Sequence, residues 1–171
     1  NVSAPTFYHV TFAGNTAEQD GGAFYCHDGA NPVVRDCILW GNQPQEISFN
    51  EAEDASSITM TYSNVEGGED AIESNNNGEV TWGTGAIDED PLFANPDEGD
   101  YHLTWDNFPE NDESKSPCIN TGHPNIDPDP DGTRADMGMY YFHHNYPDIS
   151  VNTDLIDFET LEVGDSRTLP V

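Results

Sequence analysis

Residues 127–138 read DPDPDGTRADMG, and four carboxylates, at Asp127, Asp129, Asp131 and Asp136, crowd around Gly132 with two prolines between them. Like charges at this density repel unless something positive sits among them. Calcium is one answer, since it takes roughly six to eight oxygens and alternating aspartates closed by a glycine turn place carboxylates on one side of a loop. Asp127, Asp129, Asp131 and Gly132 match positions one, three, five and six of an EF-hand loop, but position twelve is Gly138 and not a bidentate glutamate. Asp136 then has to swing in from position ten and no exiting helix is predicted, so the pattern is not an EF-hand, and a calcium loop of another build is one of two readings. Its candidate metal ligands are Asp127, Asp129, Asp131 and Asp136, with calcium as the candidate cofactor. The alternative is a folding device in which Asp129 and Asp131 cap turns through the backbone and Arg134 pairs with one carboxylate.

Other chemistries find less support. A polysaccharide lyase needs a basic residue to abstract a proton, and the chain offers only Arg35, Lys115, Arg134 and Arg167. A glycoside hydrolase needs two carboxylates about 5 to 9.5 Å apart, and 33 acidic residues supply such pairs by chance. No catalytic residue is assigned, and the chain reads as a non-enzyme. The neighbours His143 and His144 point to opposite faces if they lie on a strand, which is poor geometry for sharing a metal. Trp40, Trp82 and Trp105, with Tyr101, Tyr140 and Tyr141, read either as a sugar-stacking platform or, with more weight, as buried and edge-capping rings. Of Cys26, Cys37 and Cys118, the first two are spaced for a bridge across one turn, and the competing reading makes all three small buried hydrophobes. Asn1-Val2-Ser3 is a formal glycosylation sequon at the chain end.

The elements that position these groups follow from composition. The chain has 171 residues, 33 acidic against 4 basic, a formal charge of -29 and 35% hydrophobic content with 11% aromatic. That hydrophobic share supports a packed core. The charge repels phosphate backbones and anionic membranes, which excludes nucleic acid as a partner. It also fits a saline-adapted surface or one that collects divalent cations. No stretch reaches the roughly 20 apolar residues of a membrane span, and no basic-then-apolar leader opens the chain.

Laying APTFYHVTFAGN (4–15) over NPVVRDCILWGN (31–42) aligns Pro5 with Pro32, Phe12 with Leu39, Gly14 with Gly41 and Asn15 with Asn42, a step of 27. Continuing from His9 and Asp36 reaches Asn64, Leu92 and Ile119 in steps of 27, 28, 28 and 27. Five units of one period are expected. A unit of this length, with short β-branched and aromatic segments and no helical periodicity, predicts an all-β solenoid whose strands pair with their counterparts in the next turn. Asn15 over Asn42 then forms an amide ladder at the corner. Gly21-Gly22 and Gly67-Gly68 supply tight corners.

The run VTFAGNTAEQDGGAFYCHDGANPVVRDCILWGN resembles the right-handed parallel β-helix repeats of secreted bacterial proteins. The ending EDPLFANPDEGDYHLTWDN, SPCINTGHP and DPDGTRADMGMYYF is similar to that of β-helix proteins with a choice-of-anchor type C-terminus. The resemblance covers roughly residues 4–142. It implies a right-handed parallel β-helix and an extracellular or cell-surface location, and it fixes no single activity, because that fold carries lyases, hydrolases, adhesins and structural stalks. Residues 1–146 are therefore expected to be the C-terminal part of a parallel β-helix. Residues 147–171, with near-alternating Ile149, Val151, Ile156, Phe158, Leu161 and Val163, read as a short strand-rich extension resembling the opening of an immunoglobulin-like domain.

The expected role is an extracellular structural or adhesive surface module, calcium-stabilised, a filament or appendage subunit among its forms. A polysaccharide-active enzyme and a carbohydrate-binding module are the rival readings. The chain opens inside a repeat and closes within a strand, so its expected partners are other domains of a longer surface protein or other copies, through the terminal strands, with polysaccharide as a further candidate.

Overall fold

A computed structural model of the chain describes residues 3–51, 54–75 and 77–144. The expected extension at 147–171 lies outside the described residues, and the sequon falls partly outside them. The protein is all-β, with two short 3-10 turns at Glu69–Ala71 and Pro96–Glu98 as its only helical elements among the described residues. No helix among them is long and apolar enough to cross a membrane.

Three parallel sheets carry the first half of the chain. The first contains β1 (Thr6–Tyr8), β4 (Val33–Arg35), β7 (Ser56–Thr61) and β9 (Gly78–Trp82) in that order. Its register runs Thr6, Val33, Thr59, Thr81, in steps of 27, 26 and 22 residues. The second joins β2 (Thr11–Ala13), β5 (Ile38–Trp40) and β8 (Asn64–Val65) through Thr11, Ile38 and Asn64, and Asn64 bridges on to Ile87. The third pairs β3 (Phe24–Cys26) with β6 (Ile47–Phe49), and Ser48 bridges to Glu73. Each strand is thus followed by its counterpart one period later.

The corner between the first and second sheets is a single left-handed residue each time: His9 at φ 51°, Asp36 at 56° and Tyr62 at 47°. Such a backbone is uncommon outside glycine. Its recurrence here turns the chain sharply between two short strands. This corner corrects the alignment read from the sequence. Asp36 corresponds to Tyr62 and not to Asn64, because Asn64 pairs with Ile38 two residues later.

The expectation of five equal units fails beyond residue 87. Around Leu92 and Ile119 no parallel strand continues the stack among the described residues. Instead β10 (Phe93–Asn95) pairs antiparallel with β11 (Asp100–Leu103). The cause is local: the 3-10 turn at Pro96–Glu98 and Gly99 at φ 79° connect the two strands in four residues, a length that can only reverse the chain.

Two apolar clusters follow from this layout. The first lies between the parallel sheets and contains Val34, Leu39, Ile47, Phe49, Ile58, Met60 and Val65, with Phe7, Phe12 and Phe24 packed edge-to-face at its start. Strand β7 shows the strict alternation that builds it, with Ser56, Ile58 and Met60 buried and the residues between them half-exposed. Each fully buried Ile, Leu or Phe contributes roughly 1.5–3 kcal/mol. The second cluster forms where Ile38 meets Leu103, Cys118, Ile119 and Met137. Here the later chain segment covers the second sheet. All three cysteines are free and buried, so the Cys26–Cys37 bridge is not formed. Burial pushes their thiols up, Cys26 and Cys37 to about 11 and Cys118 to about 12.

Candidate functional site

The aspartate-rich loop is positioned by the repeat it closes over. Gly138 N–H donates to the Asp36 carbonyl at 2.8 Å, Met139 N–H to Thr11 Oγ1 at 3.0 Å, and His123 N–H to Asp36 Oδ1 at 2.5 Å. Asp36 is completely buried, and Arg35 Nε stands 3.3 Å from its Oδ2 while the guanidinium lies 4.3 Å over the Tyr8 ring. A residue that merely marked the repeat in sequence is thus the peg on which residues 117–139 hang.

Within the loop the carboxylates point largely at backbone donors. Asp131 Oδ1 accepts from Thr133 N–H (3.0 Å) and Thr133 Oγ1 (2.6 Å), and its Oδ2 accepts from His144 N–H (3.1 Å) and Nδ1 (2.9 Å). Asp136, 2% exposed, accepts from Asn120 N–H and Phe142 N–H, both at 2.6 Å. Asp129 Oδ2 accepts from Asp136 N–H at 3.1 Å, and Asp127 is exposed. Arg134 does not pair with a carboxylate of the described residues as expected. It donates to the Thr121 and Gly122 carbonyls and lies 5.9 Å over the Tyr62 ring.

The electrostatics differ sharply from one acid to the next. Burial raises the Asp136 carboxyl to about 7 against the pull of its two N–H donors, with Asp129 adding repulsion. Burial likewise raises Asp129. For Asp131 burial acts in the same sense but is outweighed by the Thr133 and His144 donors, so its carboxyl lies below the usual range. Among the described residues no group of three or more His, Cys, Asp or Glu side chains is placed to hold a metal ion.

His144, which the sequence placed only beside His143, completes this network. Its Nδ1–H donates to Asp131, its Nε2 accepts from Asn120 Nδ2 at 3.0 Å, and Trp105, Phe108 and Phe142 surround the ring at 5.9, 5.6 and 5.2 Å. It is a clasp between the aspartate loop and an aromatic box.

A second polar network occupies the Asn corner. Asn15 N–H and Nδ2 both donate to Asn42 Oδ1, at 2.9 and 2.7 Å, and Asn42 Nδ2 donates to the Phe12 carbonyl at 2.8 Å. Beneath it Glu46, 6% exposed, accepts from Asn42 N–H at 2.8 Å and Nδ2 at 2.6 Å. Glu46 also shares a hydrogen bond with Glu66, whose Oε2 accepts from Gly41 N–H at 2.7 Å. Burial first, then the Glu66 carboxylate, raise Glu46 to about 7. Nothing in the spacing of Glu46 and Glu66 announces this pair; it arises because successive periods stack.

The aromatic residues do not form one platform. Trp105 carries Lys115 Nζ at 4.4 Å, Tyr140 lies against His102 at 4.3 Å, Tyr141 against His143 at 4.1 Å, and Trp82 packs against the first core cluster. Trp40 and Tyr101 do come together, with Phe93, along a cleft between the second sheet and the β10–β11 hairpin.

Comparison with protein-family models, with curated proteins and with solved structures finds no match for this chain.

Proposed function

We propose that this chain is a segment of a right-handed parallel β-helix and serves as a structural or adhesive module of an extracellular surface protein. The observation that carries the reading is the register Thr6, Val33, Thr59, Thr81, echoed in two further parallel sheets, because parallel pairing of counterparts in successive units, here 27, 26 and 22 residues apart, is how a solenoid is built. The excess of 33 acids over 4 basic residues suits a module that stays dispersed and associates through specific edges. Other copies or neighbouring domains of the same surface protein are its proposed partners.

Calcium stays within the proposal on the spacing of Asp127, Asp129, Asp131 and Asp136. The Asp129 and Asp136 oxygens that each accept one N–H keep a second lone pair and Asp127 is exposed, whereas both Asp131 oxygens already take two donors, so Asp131 would have to give up a donor to join a divalent cation.

The experiment is an assay for turnover on a panel of neutral and acidic polysaccharides, with product detection. No turnover is the expected result. Product release from any of these polysaccharides by the purified chain would replace the structural reading with an enzymatic one.

A further inference from the structure

The cleft beside the hairpin has a volume of about 490 Å³ and is lined by Trp40, Phe93, Tyr101, Asp90 and Asp97 above the backbone of Gly14 and Gly41. Its floor is set by close approach. Gly14 has φ 64°, and a Cβ there would meet Tyr101 Oη at 3.3 Å, so a side chain would be strained and the tyrosine would have to give way by a few tenths of an ångström. The three rings are half-buried, and the two acids stand exposed at the rim. Asp90 is fixed by accepting Leu92 N–H through Oδ1 at 2.9 Å.

Among the described residues no basic side chain lines this cleft. Aromatic faces carry negative charge density, and carboxylates add to it, so the site attracts cations and repels anions. A small hard metal ion gains little from three rings, whereas an organic ammonium gains from ring faces and carboxylates together. The chain shows the same pairing next door. The adjoining cavity shares Asp90 and Leu92 and is lined also by Glu89, Asp112, Glu113 and Lys115, and the Lys115 ammonium lies 4.4 Å over Trp105.

We propose that the Trp40–Tyr101 cleft binds an organic ammonium group, either a quaternary ammonium or the lysine side chain of a partner. This goes beyond the structural role and stands independently of it.

The test titrates the intact chain with tetramethylammonium chloride and, separately, with Nα-acetyl-lysine methylamide, following the Trp40 indole by NMR against sodium chloride at equal ionic strength. A neutral cello-oligosaccharide is the third arm. Saturable binding with a Kd on the order of millimolar is expected for at least one ammonium probe, and the tighter of the two identifies the source. Asp97→Asn, at an exposed position, should weaken it about fivefold while leaving the near-UV circular dichroism unchanged. Trp40→Leu should abolish it; if that variant does not fold, Asp97→Asn decides alone. Shifts that merely follow ionic strength, saturation by the saccharide alone, or unchanged affinity in Asp97→Asn would each overturn the proposal.

Discussion

At the scale of single residues, Glu46 and Asp136 are two of the acids whose protonation is coupled to folding. Each carboxyl is raised to about 7 in the folded chain, from 4.5 and 3.8. A raised acid binds its proton more tightly when folded, so its stabilising contribution is present at low pH and is lost as pH rises from the unfolded value toward 7. Asp131, held below the ordinary range, acts in the opposite sense and only below about 3.8, outside that window. Denaturant unfolding should therefore give higher stability at pH 5 than at pH 7.5. General repulsion among the acids would produce the same trend, so Glu66→Gln separates the causes. The amide introduced there can still accept from Gly41 N–H and donate to Glu46, but it removes the neighbouring charge. The variant should gain up to about 1 kcal/mol at pH 7.5 and little at pH 5. An identical pH profile in parent and variant would mean that the Glu46–Glu66 contact does not set the slope. At the aspartate loop, millimolar calcium should raise Tm more than sodium at equal ionic strength, an increment that Asp127→Asn with Asp129→Asn removes. Equal responses to the two ions would take calcium out of the proposal.

At the scale of elements, the parallel strands were legible because their signal is repetition. Pro5 with Pro32, Gly14 with Gly41 and Asn15 with Asn42 recur where the chain turns, and both glycines adopt the left-handed backbone, at φ 64° and 72°, that glycine takes most readily. The step to the third unit was misread by two residues because the corner residue is His9, Asp36 and then Tyr62, three side chains with nothing in common except a left-handed backbone. The hairpin was hidden for a different reason: PLFANPDEGDYHL has the apolar-then-turn punctuation of a repeat, and the four-residue connection that reverses it looks like any corner. The clasp of Asp131 with His144 and the Glu46–Glu66 pair lay beyond sequence reasoning because both are contacts between segments brought together by folding. One close approach tests the stacking directly. Gly78 begins β9 beneath Phe49, and a Cβ there would drive into the ring of that buried residue. Gly78→Ala should cost roughly 1–3 kcal/mol by thermal or denaturant unfolding. A neutral effect would mean that β9 does not sit against Phe49 as described.

At the scale of the whole molecule, charge competes with a core built largely from three-residue strands. A formal charge of -29 over 171 residues makes every folded acid the neighbour of several others, and compaction brings them closer than they are in the unfolded chain. The two arginines that could relieve this within the repeat and the loop are committed locally, Arg35 to Asp36 and Arg134 to backbone carbonyls. Relief has to come from dissolved counterions. The Debye length falls from about 30 Å at 0.01 M salt to about 3 Å at 1 M, so sodium or potassium chloride should screen most of the repulsion between exposed acids over that range. Tm should accordingly climb steeply between about 0.01 and 0.3 M and flatten above it. The half-buried contacts predict the residual behaviour: Glu46 and Asp36 are buried while their partners Glu66 and Arg35 are partly exposed, so mobile ions screen these contacts less than exposed pairs and most of the gain from Glu66→Gln at pH 7.5 should persist at about 1 M salt. A Tm independent of salt would show that the acids are spaced too widely to repel, and a Glu66→Gln gain that vanishes in high salt would place that pair in reach of solvent.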